Sequence, residues 1–283
     1  MTSKQISAAQ REQIIELARA GRPPEAVLKL LVDEGWRMQE AIDAAEEVMR
    51  EFLSEHARAN ELPEPVRVPA PIGLNGPSVI HALDREVQVL ASLQHPRIVV
   101  FGNLLSHEEC EEMVALARSR LARSSVVDIE TGADQVHEAR TSEGTSFARG
   151  VNELCRRIEA RIAKLLDWPV ENGEGLQILR YGPGAQYEPH YDYFDPARPG
   201  FQSILKRGGQ RVASLVMYLN TPRSGGCTTF PDTKFEVGAV KGNAVFFSYD
   251  RPHPMTRTLH GGAPVAEGEK WVATKWLRER EHR

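Results

Sequence analysis

From residue 174 to about 279 the chain reads as short β-rich or alternating runs: LQILRY, QYEPHYDYF, RVASLVMYLN, KFEV, NAVFFSY and KWVATKWL. Each run is bounded by Gly, Pro, Asn or Asp, the punctuation of an all-β sandwich or barrel. Upstream the period changes. A strand around Ile98 to Phe101 precedes a helix that Ser106 and Glu109 cap at capping-box spacing, and a second helix over 149–166 carries Leu154, Ile158, Ile162 and Leu165 on one stripe. Helices followed by strands predict an α+β domain over 78–283, a jelly-roll (double-stranded β-helix) core at about 172–279 backed by helices.

Before this domain, apolar residues recur at helical spacing over residues 7–57, as at Ile14, Leu17, Val27, Leu31, Ile42, Val48 and Phe52. Gly21 and Gly35 fall where C-terminal caps stop helices, and Pro23-Pro24 opens the second, so a small all-α module of three short helices is expected over 1–61. Residues 62–77, LPEPVRVPAPIGLNGP, read as a Pro-rich connector. Residues 1–62 carry 8 Lys+Arg and 12 Asp+Glu, leaving 27 of each for the rest, so the whole net charge of -4 sits in the module. A protein partner or self-association through residues 1–62 is one expectation, and packing against the α+β domain is the other.

The balance of charge gives no bulk reason to bind nucleic acid or anionic lipid, and no run of 18 uncharged apolar residues suggests a membrane span. Cys110, Cys155 and Cys227 are odd in number and form no CxxC pair, so reduced thiols are expected. The first 20 residues mix polar and apolar side chains without an apolar signal core, and the expected location is cytoplasmic.

The candidate chemistry begins at His190-Tyr191-Asp192. On a strand, residues i and i+2 project from one face, so the imidazole and the carboxylate converge while Tyr191 points away. His260 lies 70 residues on, across several strands. Two His and one carboxylate on one face of an ion are the ligand set of non-haem Fe(II) oxygenases, with positions left open for cosubstrate and O2. A His-x-Asp on a hairpin is also a common solvent-facing pair. Lys270, ten residues after His260, is placed to pair the distal carboxylate of a chelating α-keto acid; a lone strand lysine otherwise reads as a surface residue.

The stretch LQILRYGPGAQYEPHYDYF, the GGQR of 208–211, VMYLN, GGCTTFP and LHGGAPVAEGEKWVATKW resembles, in order and spacing, the core of the prolyl 4-hydroxylases, which are 2-oxoglutarate- and Fe(II)-dependent dioxygenases. The likeness is greatest to the short plant, algal and bacterial forms, and it extends upstream to about residue 96. It implies iron ligands His190, Asp192 and His260. Lys270 and Tyr181 would hold the distal carboxylate of 2-oxoglutarate, with Thr228 near that pocket. Arg140, Ser142, Glu174, Tyr187 and Trp276 match positions that line the peptide groove in similar enzymes. Alternatives for Tyr181 and Trp276 are core aromatics, and for Arg140 and Glu174 solvated or mutually paired charges.

The implied activity is 4-hydroxylation of peptidyl proline, coupled to oxidative decarboxylation of 2-oxoglutarate to succinate and CO2, with O2 as oxidant and L-ascorbate (vitamin C) as reductant. The implied partner is a proline-containing peptide or protein. Open alternatives are the same chemistry on another residue or a small molecule, and a non-catalytic binding protein on the same fold. An aromatic groove of Tyr187, Trp276 and Tyr193 suits a preformed polyproline II ridge, and residues 128–139 and 194–210 are candidate lids. Cys227 occupies a slot that is usually acidic in similar sequences, which bears on groove shape.

Overall fold

A computed structural model describes residues 6–71, 76–123, 125–127, 134–136 and 141–283. The chain divides into two compact units, Met1–Glu64 and Pro65–Arg283.

In the first unit, helices α1 (Ala8–Arg19), α2 (Pro24–Asp33) and α3 (Met38–Ala59) close on Ile14, Val27, Leu31, Trp36, Ala41 and Val48. Ser7 caps α1 through a capping box with Gln10. Gly21 and Gly35 adopt the left-handed conformation after α1 and α2, at φ 65° and 85°, a geometry that β-carbon-bearing residues resist. The third helix is not short. Its 22 residues continue because no Gly or Pro interrupts the stripe from Ala41 to Ala57.

The Pro-rich stretch is only partly a connector. The Val66 N–H donates to the Asp250 carbonyl at 2.7 Å, and Val66 and Val68 pack on the core of the second unit. Alternating valines between prolines give this segment an apolar face that free linkers lack.

The second unit opens with strands β1 (Val79–Ala82), β2 (Arg85–Leu93) and β3 (Arg97–Gly102), followed by α4 (His107–Arg118), whose Ser106–Glu109 capping box forms as expected. Four short strands follow, β4 (Ala122–Arg123), β5 (Ser125–Val127), β6 (Asp134–Val136) and β7 (Glu143–Phe147). Helix α5 (Glu153–Leu166) starts at Glu153 and not at the expected 149, because the Asn152 side chain caps it, accepting from the Cys155 N–H at 2.8 Å. The β-rich region then gives β8 (Gly173–Tyr181), β9 (Tyr187–His190), β10 (Arg211–Tyr218), β11 (Ser224–Gly225), β12 (Thr228–Phe230), β13 (Phe235–Val237), β14 (Ala244–Ser248), β15 (His260–Gly262), β16 (Val265–Glu267) and β17 (Lys270–Arg278).

Nine of these strands form a major sheet in the order β1-β2-β3-β14-β10-β17-β8-β7-β4, and β13-β12-β15-β9 form a minor sheet. Period-2 alternation sorts the major sheet's side chains into two cores. Val212, Leu215, Phe246, Trp271, Ala273 and Ile178 pack with α4 and α5, whereas Tyr218, Val245, Phe247, Val272, Leu179 and Tyr181 pack with Phe230 and Val237 of the minor sheet. The result is a helix-backed jelly roll whose interior lies between the sheets. Helix α5 is also fastened by polar contacts. Lys275 of β17 donates to Glu159 at 2.6 Å with both side chains buried, and Arg161 bonds Asp84 and Glu109. Ile158, 1% exposed between helix and sheet, sits where truncation leaves a cavity. Ile158→Ala should cost about 3 kcal/mol in a denaturant titration; a loss below about 1 kcal/mol would mean that α5 contributes little to holding the sheet.

Candidate metal centre

His190 ends β9 and His260 begins β15, and the two are direct antiparallel partners. Their rings therefore face one another, with centroids 4.4 Å apart. Asp192 is not on the strand, contrary to the alternation argument. It lies beyond the end of β9, because the backbone turns after His190, and the His-x-Asp convergence comes from that turn. Ligand atoms of His190, Asp192 and His260 all lie within 4.8 Å of one another, the one such cluster among the described residues.

The tautomers follow from the backbone. Nδ1 of His190 lies 2.8 Å from the Glu188 carbonyl and Nδ1 of His260 lies 3.0 Å from that of Thr258. A carbonyl only accepts, so each Nδ1 carries a proton, and it is Nε2 that is left to a metal. Those Nε2 atoms face the carboxylate, His190 at 3.6 Å from Oδ1 and His260 at 3.4 Å from Oδ2. Burial pushes His260 down to about 4, so it is a neutral donor at physiological pH. Burial opposes ionisation of Asp192, yet His260, His190 and Arg211 outweigh it and hold the carboxyl far below its ordinary range. Two imidazole Nε2 atoms and one ionised carboxylate, brought together within 4.8 Å, fit a divalent transition metal.

Beside this cluster the major sheet supplies Lys270, 4% exposed and directly opposite Tyr181 in the pairing of β17 with β8. Its ammonium lies 5.6 Å from the Tyr181 ring centre and 5.8 Å from that of Tyr218. Burial pushes it down to about 8, and no carboxylate is paired with it among the described residues. Thr228 is buried nearby and accepts from the Tyr218 hydroxyl at 2.8 Å. Tyr218 is absent from the expectations, although alternation along RVASLVMY puts Ser214, Val216 and Tyr218 on one face.

The expected groove residues divide. Tyr187 stacks on His190 at 3.8 Å. Trp276 is half-buried beneath the Arg211 guanidinium, 3.8 Å from the ring centre. Glu174 is occupied, bonding Arg211 at 2.7 and 2.9 Å and Arg278 at 2.9 Å. Despite its burial, these guanidiniums hold it down to about 2. Ser142 is buried at 1% exposure, and Arg140 lies outside the described residues. Tyr193 is half-buried, stacked on Tyr191 and edge-on to Tyr249.

Of the two lid candidates, residues 128–139 fall outside the described residues apart from β6. Residues 194–210 hold a short helix, Gln202–Leu205, and are clamped at their ends, where the Gln210 side chain accepts from Phe194 N–H at 2.7 Å and donates to its carbonyl at 2.6 Å. All three cysteines are free, and Cys227 is half-buried.

Residues 176–278 match the 2OG-Fe(II) oxygenase superfamily. The chain is 40% identical over 219 residues to "Prolyl 4-hydroxylase 5" of Arabidopsis thaliana, covering 70% of this chain and 73% of that protein. It belongs to the prolyl 4-hydroxylase family of 2OG-Fe(II) oxygenases. "Prolyl 4-hydroxylase 1" of the same plant is 42% identical over 203 residues, covering 65% of this chain and 70% of that protein. Among solved structures, the viral collagen prolyl hydroxylase of Paramecium bursaria Chlorella virus-1, in a 2OG complex, is 30% identical with a TM-score of 0.49, covering 64% of this chain and 95% of that one.

Proposed function

We propose that this chain hydroxylates peptidyl proline at carbon 4, consuming 2-oxoglutarate and O2 and releasing succinate and CO2. The observation that carries the reading is the convergence of His190, Asp192 and His260 beside a buried lysine that has no carboxylate partner among the described residues. Fe(II), held by the two Nε2 atoms and the Asp192 carboxylate, would supply the O2 activation that couples cosubstrate decarboxylation to hydroxylation. The protein's residues do the rest. Lys270 neutralises the distal carboxylate of 2-oxoglutarate beside the Tyr181 and Tyr218 rings, where its burial strengthens the ion pair. Tyr187 and Trp276 offer flat apolar faces to a polyproline II ridge, and Glu174 holds Arg211 against Trp276 so that this wall is rigid.

The proposal takes L-ascorbate as the reductant on the strength of the family resemblance, and a cytoplasmic site of action on the free cysteines. No described helix is long and apolar enough to cross a membrane. The acidic unit 1–62 is proposed as a module for a protein partner or a second copy. The test is to incubate the iron-loaded protein with 2-oxoglutarate and proline-rich peptides and to look by mass spectrometry for a +16 Da change on proline. Succinate release without any +16 Da proline would transfer the chemistry to another residue or a small molecule. Equal succinate release from wild type and His190→Ala would leave a binding protein.

A further inference from the structure

Asp192 poses a mechanical problem. Both histidines sit on paired strands, whereas Asp192 lies in irregular backbone past the end of β9, where no ladder fixes its side chain. Its support comes from the opposite sheet. The Ser214 hydroxyl, on the interior face of β10 and fully buried, lies 2.5 Å from Asp192 Oδ2, and the Tyr249 hydroxyl lies 3.0 Å from Ser214 Oγ. Pairing slips between Arg211 and Ala213, a bulge that lets Arg211 and Ser214, three residues apart, both reach Asp192. Arg211 makes only a long contact to the Asp192 carbonyl, at 3.5 Å.

The direction of this chain is fixed by its end. An ionised carboxylate only accepts, so Ser214 must donate to Oδ2, and its oxygen is then free to accept from Tyr249. Oδ2 spends a lone pair on Ser214, while Oδ1 keeps its lone pairs for a metal. We propose that Ser214, backed by Tyr249, is the positioning residue that locks the Asp192 carboxylate into single-oxygen presentation toward the metal. The inference rests on the reading of His190, Asp192 and His260 as the metal ligands, and it assigns to two neutral hydroxyls the orienting role that partners of ligating carboxylates play. Tyr249 is itself set by the sheet, its N–H donating to the Val212 carbonyl at 3.0 Å.

The test titrates metal-free protein with Co(II) alone, followed by calorimetry and by the visible absorption of the bound ion, with thermal melting of each metal-free variant as a check on folding. Ser214→Ala should weaken Co(II) binding by about 10- to 100-fold and alter the absorption bands as the carboxylate rotates. Tyr249→Phe, which removes only the outer bond, should weaken it by a smaller factor, and it carries the test if Ser214→Ala does not fold. Ser248→Ala is the control. Ser248 is a buried serine on the adjoining strand, paired with Ala213, whose hydroxyl has no partner among the described residues, and its loss should leave Co(II) binding unchanged. Wild-type affinity and spectrum in both Ser214→Ala and Tyr249→Phe overturn the positioning role alone, as does an equal loss in Ser248→Ala. A wild-type protein that binds no Co(II), or an Asp192→Ala variant that binds it undiminished, overturns the metal site and the positioning role together.

Discussion

His260→Ala is expected to abolish succinate formation, with a loss on the order of 1,000-fold or more, since partners one bond removed from a metal already cost 10- to 100-fold. The reason lies in how completely the site depends on each donor. His260 is 6% exposed, and among the described residues no other His, Cys, Asp or Glu completes a ligand cluster there. Water entering the space left by the ring would be a weaker donor than an imidazole whose Nδ1–H is already pinned to the Thr258 carbonyl. The variant should keep its secondary structure, because the ring is held by that one bond and by aromatic contacts to Phe230 and Phe247 that a smaller residue relaxes without breaking the pairing of β15 with β9. Succinate measured alongside circular dichroism separates loss of ligand from loss of fold. Succinate formation within tenfold of wild type in a folded His260→Ala protein would remove His260 from the metal site.

The β-rich half is legible because strands with one face on helices and the other on a second sheet must alternate or run apolar, and RVASLVMY, NAVFFS and KWVATKW do so. The β1–β2 hairpin is not announced. Its turn is Leu83-Asp84 in place of a Gly- or Asn-based pair, with Leu83 at φ 59°, and the conformation is supported from outside by the Arg161–Asp84 bond. The ionisable residues of the site stand out in the sequence because a charge inside a β-rich run requires a reason. The neutral hydroxyls of Ser214, Tyr218 and Tyr249 do not stand out, being ordinary strand residues whose roles depend on which sheet they face. Glu174 shows the converse limit. The family resemblance marks it as a groove candidate, but its partners Arg211 and Arg278 are brought to it by β10 and β17, and sequence spacing does not reveal that pairing.

Lys270 gives the second large effect and the only one with a sign in pH. Its ammonium is displaced to about 8 by burial, and the charged form is the one that a carboxylate-bearing cosubstrate selects. Below that value the lysine is protonated and ready; above it the free enzyme must take up a proton to bind. The value of kcat/KM for 2-oxoglutarate, which reports the free enzyme, should therefore be flat up to about pH 8 and then fall tenfold per unit. Lys270→Ala removes the charge while leaving the distal carboxylate to be buried unpaired, a cost of about 3 kcal/mol or more, so KM should rise on the order of 100-fold. That variant should also lack the alkaline limb, since the group that titrates is gone. Cys227→Ala, which leaves the amine in place, should keep it, and this distinguishes the lysine from the neighbouring thiol. Steady-state kinetics in 2-oxoglutarate between pH 6 and 9.5 make the comparison. An alkaline limb that persists in Lys270→Ala would mean that another group governs cosubstrate binding, and that the buried ammonium serves the packing of Tyr181 and Tyr218.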